Sequence, residues 1–163
     1  MKEHLIEIVG KGGLFCGGFV RDYLIRGEDY NDIDFYFLTT IPEPYASWMF
    51  IGGAKTMSFN GKKFHCGTSP YDITCNVFSF DGERIVARPT YMEFSYTRSW
   101  EMIFKKEFVF TTMKDISSAE KMKRRGWIKV GSDFRKRGEP LAPSCGVWSD
   151  FTLAKERFDA LPL

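Results

Sequence analysis

Residues 16–37 read CGGFVRDYLIRGEDYNDIDFYF and carry the strongest structural signals in the sequence. The apolar run Leu14–Cys16 ends at two glycines, a sequence typical of a buried strand that turns into a helix. The next residues, FVRDYLIRG, carry apolar side chains at helical spacing, and Gly27 predicts the end of that helix. The run DIDFYFL, residues 32–38, is rich in aromatic residues and predicts a second strand. The expected order is therefore strand, helix, strand.

The remaining sequence predicts an α/β (α+β) fold, a mixed β-sheet with flanking helices. Residues 3–10 have the apolar spacing of a helix. The pair Asn60-Gly61 lies between two alternating runs and predicts a hairpin, and Asp81-Gly82 predicts a second turn between strands. Helical patterns return in the last third of the chain. Sheet elements early and helices late indicate one mixed domain.

Composition excludes several classes of protein. The 163 residues suit one domain, and 44% hydrophobic with 17% aromatic residues supply ample core. A charged fraction of 27% with a net charge of +2 argues against disorder and against a bulk nucleic-acid binder. The sequence shows neither a signal peptide nor a membrane-spanning segment. We therefore expect a cytoplasmic protein with no membrane partner.

The cysteines and histidines do not form a metal-binding motif. Cys16, Cys66, Cys75 and Cys145 are widely spaced, so buried free thiols in a reducing compartment are the better interpretation. Only two histidines exist. His65 lies in a predicted strand between Phe64 and Cys66, and we expect a structural role for it.

Two carboxylates stand at the start of the second predicted strand. Asp32 and Asp34 are two residues apart, so on a strand both side chains share one face about 6.6 Å apart. Two such charges converging to 4 Å would repel by roughly 4 kcal/mol at an effective dielectric near 20. A hard divalent cation such as Mg²⁺ removes that cost. Asp72, on the polar face of the run YDITCNVF, is the candidate third ligand, and hydrogen bonding in a turn after Pro70 is its alternative role.

The glycine pair before the first predicted helix suits an anion. Backbone N–H groups at Gly17 and Gly18 can face phosphate oxygens there. Arg21 is a candidate phosphate contact, with pairing to Asp22 or Asp29 as the alternative.

The charge of the chain is uneven, and residues 121–137 are strongly basic. Lys123, Arg124 and Arg125 are the candidate RNA or phosphate contacts in this run. A solvated helix face is the alternative interpretation.

The pattern G-G-F-V-R-D-x-L-x-x-G followed by D-I-D-F resembles the signature of the nucleotidyltransferase superfamily that includes DNA polymerase β. It is most similar to the head domain of class II CCA-adding enzymes and poly(A) polymerases, in a minimal, phage-type version, and a phage-encoded protein of this type would act in the host cytoplasm. The resemblance implies that Gly17 and Gly18 contact the triphosphate and that Asp32 and Asp34 bind catalytic Mg²⁺. It also implies nucleotide contacts for Arg21 and Asp22. The later run YDITCNVF resembles the family's D-F-T-x-N strand, which places Asp72, Thr74 and Asn76 at matching positions.

The activity implied by this resemblance is transfer of a nucleoside monophosphate from an NTP such as ATP to an acceptor hydroxyl. The family suggests an RNA acceptor, a tRNA 3′ end above all, and hence a part in tRNA processing. The resemblance divides the chain into a catalytic domain, 1–127, and a C-terminal extension, 128–163, whose helix packs on that domain. Two departures matter: the helical body domain that selects the nucleotide is missing, and Tyr71 stands where longer enzymes have Arg. The competing hypothesis is a non-catalytic nucleotide-, RNA- or protein-binding domain that keeps the fold.

Overall fold

A computed structural model describes seven segments of the chain, and every structural statement below concerns them alone. They are residues 2–59, 61–67, 77–87, 96–109, 116–130, 146–149 and 151–162. None of the helices within these segments is both long and apolar enough to cross a membrane.

The described elements are short strands and short helices. The helices are α1 (Lys2–Gly10), a π-helix (Phe19–Ile25), a 3₁₀ helix (Tyr45–Ser47), α2 (Tyr96–Lys105), α3 (Ile116–Arg124) and α4 (Thr152–Asp159). The strands are β1 (Leu14–Cys16), β2 (Ile33–Tyr36), β3 (Met49–Ile51), β4 (Ala54–Phe59), β5 (Lys62–Gly67), β6 (Phe78–Phe80), β7 (Ile85–Ala87), β8 (Glu107–Phe108), β9 (Ile128–Lys129) and β10 (Gly146–Ser149).

Eight of the described strands form one mixed sheet in the order β10-β7-β6-β1-β2-β5-β4-β3. Strand β1 runs antiparallel to both β2 and β6, whereas β2 and β5 are parallel. The hairpin predicted at Asn60-Gly61 is confirmed, because β4 and β5 pair antiparallel from Phe59 and Lys62 outward. The predicted α/β (α+β) class, a mixed sheet with flanking helices, is also confirmed.

The chain divides into two compact units. The first comprises Met1–Ser69, Ser79–Val86 and Val147–Leu163, and the second comprises Pro70–Phe78 and Ala87–Gly146. The division into 1–127 and 128–163 stays a prediction.

Aromatic side chains build the core of the first unit on one face of its sheet. Phe15, in the centre of β1, lies opposite Phe35 of β2 and Phe80 of β6, so the three share a face. Phe19 of the π-helix and Phe158 of α4 pack on Phe15, with ring centroids 5.5 and 5.6 Å apart. Phe35 and Phe80 are almost fully buried.

A helix follows β1, as the sequence predicts, and it is a π-helix. Helix α4 contacts its C-terminal end. The apolar residues Val20 and Leu24 of the π-helix are buried. At the C-terminal end, the Arg157 side chain of α4 donates hydrogen bonds to the carbonyls of Leu24 and Ile25 at 2.9 and 2.8 Å. These carbonyls have no partner further along the helix, so α4 satisfies them.

The second unit is built from α2, α3 and the short parallel pair β8 and β9. Trp100 of α2 packs edge-on against Phe78 at 5.2 Å. Gly126, with φ of +86°, ends α3, and Trp127 immediately after it is buried. A glycine with positive φ is a common residue just after the end of a helix.

Candidate functional site

Asp34 lies at the centre of the first unit's sheet, on the face opposite the aromatic core. In the register it stands beside Cys16 of β1 on one side and His65 of β5 on the other. Thr56 of β4 continues the row, opposite His65. Residues directly opposite each other on neighbouring strands point to the same face. The helices and the 3₁₀ helix of this unit contact the core face, through Phe19, Phe158, His4 and Tyr45 among others.

Alternation along the second strand explains how two carboxylates can begin a core strand. Ile33 and Phe35 are 0% and 1% exposed, whereas Asp32 and Asp34 are partly exposed, and the Asp34 side chain is 40% exposed. The apolar residues therefore face the helices and the two aspartates share the other face. Further along that face Tyr36 is buried, and its hydroxyl lies 3.0 Å from that of Ser79. On this face of β2, the side chains are therefore partly exposed at the N-terminal end, where the carboxylates lie, and buried at the C-terminal end.

Gly17 brings the turn after β1 against the Asp34 carboxylate. Its φ of +66° lies in the left-handed region that favours glycine. A Cβ atom at this position would lie only 2.7 Å from Asp34 Oδ2. Only a residue without a side chain lets the backbone approach the carboxylate this closely, so Gly17 and Asp34 form one structural feature.

Arg21 and Asp22 form a buried, two-point ion pair. The Arg21 Nε and Nη2 atoms donate to Asp22 Oδ1 and Oδ2 at 2.8 and 2.7 Å. The residues are 4% and 8% exposed. This is the alternative that the sequence left open for Arg21, although the pair is buried rather than at the helix surface. A Cβ atom on Gly18 would lie 3.3 Å from Asp22 Oδ2 and 3.4 Å from Arg21 Nη2, so the pair packs beneath the glycine turn. Nucleotide contacts of Arg21, Asp22 and Gly18 stay predictions.

His65 presents its imidazole to Asp34 from the neighbouring parallel strand. His65 Nδ1 lies 3.6 Å from Asp34 Oδ1, which is longer than an N–H···O hydrogen bond. The other ring nitrogen, Nε2, is buried and makes no hydrogen bond in the described parts of the chain. The sequence predicts the hairpin strand that contains His65 but not the parallel pairing of β2 and β5, which places His65 beside Asp34.

The remaining predicted site residues are less closely defined. Asp72, with Thr74 and Asn76, lies outside the described residues, so its place as third ligand stays a prediction. Lys123, Arg124 and Arg125 are exposed at the end of α3 and after it, which suits both a solvated face and a polyanion contact. Lys123 also lies 3.9 Å from Glu120.

The carboxylate oxygens on this face are of the chemical type that binds a hard cation. Asp32 and Asp34 provide partly exposed carboxylate oxygens on one face, and these are the ligands Mg²⁺ prefers. Within the described segments, no group of three His, Cys, Asp or Glu side chains is placed to hold a metal ion. A complete ligand set therefore needs a further donor besides the two aspartates.

Comparison of the chain with protein-family models, curated proteins and solved structures finds no match.

Proposed function

We propose that the chain is a Mg²⁺-dependent nucleotidyltransferase of the polymerase β type. It would transfer a nucleoside monophosphate from an NTP to an acceptor hydroxyl and release pyrophosphate. The observation that supports this most strongly is the contact of Gly17 with Asp34, which joins the glycine turn and the D-x-D strand in one site. The family resemblance implies that the same two features, the glycine turn and the D-x-D strand, act together in one site.

Each residue of the site has a definite task in this proposal. Asp32 and Asp34 would hold the cation on the open face of β2. When bound, Mg²⁺ supplies positive charge against the phosphates and lowers the pKa of the acceptor hydroxyl. The backbone of Gly17 and Gly18 would lie against the β- and γ-phosphates, because neither residue has a side chain to keep the phosphates away.

The buried Arg21–Asp22 pair would support the site from below. A guanidinium and a carboxylate joined by two hydrogen bonds fix each other's orientation. The pair therefore holds the turn at Gly18, and so the backbone that would receive the phosphates.

In the transfer itself, the acceptor oxygen forms a bond to the α-phosphorus while the bond from that phosphorus to the pyrophosphate oxygen breaks. Asp72 is the proposed base that takes the hydroxyl proton. An RNA 3′ end, such as that of tRNA, is the proposed acceptor, and Lys123, Arg124 and Arg125 are its proposed backbone contacts.

The test is incorporation of label from α-³²P-NTPs into total RNA, with and without Mg²⁺. Asp34→Asn keeps the size of the side chain and removes its charge, and we expect at least a hundredfold loss of transfer. Asp29→Asn makes the same change at an exposed aspartate just before the strand, and we expect it to retain full activity.

Two results would contradict the proposal. If the unaltered protein labels neither RNA, protein nor itself and does not bind NTP with Mg²⁺, it is not a nucleotidyltransferase. If it and Asp34→Asn bind RNA equally well without turnover, the chain is a binding domain that keeps the fold.

A further inference from the structure

A lysine stands on the same face of the sheet as the two aspartates. Along β5, Phe64 and Cys66 are 0% and 1% exposed on the core face, whereas Lys63 is exposed. Because side chains alternate along a strand, Lys63 points to the same face as His65, which lies directly opposite Asp34. The lysine therefore lies on the strand next to the carboxylates, and neighbouring strands are about 4.8 Å apart.

The ammonium group of Lys63 is available for a ligand. It forms neither an ion pair nor a hydrogen bond with the part of the chain that the structure describes. The neighbouring Lys62, by contrast, donates to the carbonyl of Tyr30 at 2.8 Å and lies 4.6 Å from the centre of the Tyr30 ring. Lys63 thus brings a positive charge without a described protein partner to the face that carries the carboxylates.

The two oxygens of the Asp34 carboxylate face different neighbours. A Cβ atom on Gly17 would lie 2.7 Å from Oδ2, so this oxygen faces the glycine turn. The other oxygen, Oδ1, lies 3.6 Å from His65 Nδ1 of β5. In the sheet, β1 and β5 are the two neighbours of β2. A substrate bound at Asp34 would therefore have the glycine turn on one side and Lys63 on the other.

The geometry of the proposed transfer assigns one substrate to each side. In an in-line displacement, the attacking oxygen and the leaving pyrophosphate lie on opposite sides of the α-phosphorus. The proposed function puts the β- and γ-phosphates against Gly17 and Gly18, so the acceptor oxygen would approach from the side of β5. An RNA strand whose 3′ hydroxyl lies there carries its nearest phosphodiester one sugar away. A protein hydroxyl has no such phosphate.

We propose that Lys63 binds the last phosphodiester of an RNA acceptor and so selects a nucleic-acid strand over other hydroxyl compounds. This inference rests on the proposed function and adds to it the residue that recognises the acceptor beside the reacting hydroxyl. A lysine binds phosphate as a point charge. The contact therefore provides affinity and position without reading the base sequence.

The test measures the affinity of the full chain for a short, fluorescently labelled single-stranded RNA at several salt concentrations. Each phosphate contact on a single strand contributes about 0.7 to the slope of log affinity against log salt concentration. We expect Lys63→Gln to weaken binding about fivefold or more at low salt and to reduce this slope by about 0.7. A role of Lys63 in folding alone would not change the slope. Lys63→Arg keeps the charge and should stay within about twofold of the unaltered affinity.

Lys62→Gln is the matched control. It removes the same charge one residue away, from a side chain that is bound to Tyr30. We expect it to change the RNA affinity by less than about twofold, because salt screens charges that do not contact the RNA. Steady-state kinetics then separates the two substrates. Lys63→Gln should raise KM for the RNA about fivefold or more and leave KM for the NTP within about twofold.

Equal RNA affinity and equal salt slope in Lys63→Gln and the unaltered protein would overturn the inference, as would an unaltered protein that does not bind the RNA. A rise in KM for the NTP in place of the RNA would also overturn it, because the lysine would then lie on the triphosphate side. If one of these results is found while Asp34→Asn still loses transfer of label, the proposed function stands without this inference. If the unaltered protein transfers label to no acceptor, both are wrong.

Discussion

Substitution of Gly17 by alanine tests the contact on which the proposed site depends. The residue has φ of +66°, and a left-handed conformation costs an alanine about 1–2 kcal/mol. The new Cβ would also lie 2.7 Å from Asp34 Oδ2, so the carboxylate must rotate away from its present position. An off-rotamer side chain costs roughly 0.5–1.5 kcal/mol. We expect Gly17→Ala to lower the free energy of unfolding by about 1.5–3.5 kcal/mol in total.

Gly12→Ala is the matched control for backbone strain. Gly12 has φ of +84°, and a Cβ there would meet nothing within 4 Å. The free energy of unfolding of this variant should therefore fall only by the cost of the left-handed conformation, about 1–2 kcal/mol. Equilibrium denaturation by urea measures both losses, and cation binding by calorimetry should weaken in Gly17→Ala alone.

An Asp34→Ala background isolates the contact itself. Removing the carboxylate leaves Asp34 Cβ as the nearest atom, at 3.6 Å, which is an ordinary van der Waals distance. In that background Gly17→Ala should cost no more than Gly12→Ala, and the difference between backgrounds is the coupling energy. Equal losses for the two glycine variants in both backgrounds would refute the close approach of Gly17 to Asp34.

Two further predictions concern buried groups of the first unit. Asp22→Ala should lower the free energy of unfolding by about 3–5 kcal/mol, because buried Arg21 loses its charge partner. Glu28→Ala is the control: its carboxylate also lies 2.7 Å from an arginine, Arg26, but is half exposed. This variant should lower the free energy of unfolding by less than about 1 kcal/mol. Equal losses for Asp22→Ala and Glu28→Ala in urea denaturation would contradict the prediction. Burial raises the pKa of the Cys66 thiol to about 11, so at pH 8 it should react with iodoacetamide far more slowly than partly exposed Cys16. Mass spectrometry measures the labelling at each cysteine, and labelling of Cys66 in the folded protein at the rate seen in urea would contradict its burial.

The local order of elements could be predicted from the sequence because it depends on contacts close along the chain. The strand before Gly17, the helix after it and the strand at Ile33–Tyr36 all follow from apolar spacing and glycine positions. The hairpin at β4 and β5 likewise has a local signal. The conformation of the helix after Gly18 could not be predicted. It is a π-helix, and helical spacing of apolar residues does not distinguish that form.

The pairing of strands that are distant along the chain could not be predicted from the sequence. The parallel neighbours β2 and β5 are separated by two further strands along the chain, and no short pattern encodes their register. His65 therefore looked like a structural residue between Phe64 and Cys66. Its position opposite Asp34 depends on how β5 adds to the sheet. The pairing of Arg21 with Asp22 was expected at the helix surface as an alternative role, and the structure shows that the pair is buried.

The charge of the two aspartates bears on how many ions the proposed site would hold. The carboxylates of Asp32 and Asp34 together balance the charge of one divalent cation. A second ion needs further negative charge to offset its repulsion from the first. Asp72 is the predicted source of that charge, so it would permit a second ion to arrive with the NTP.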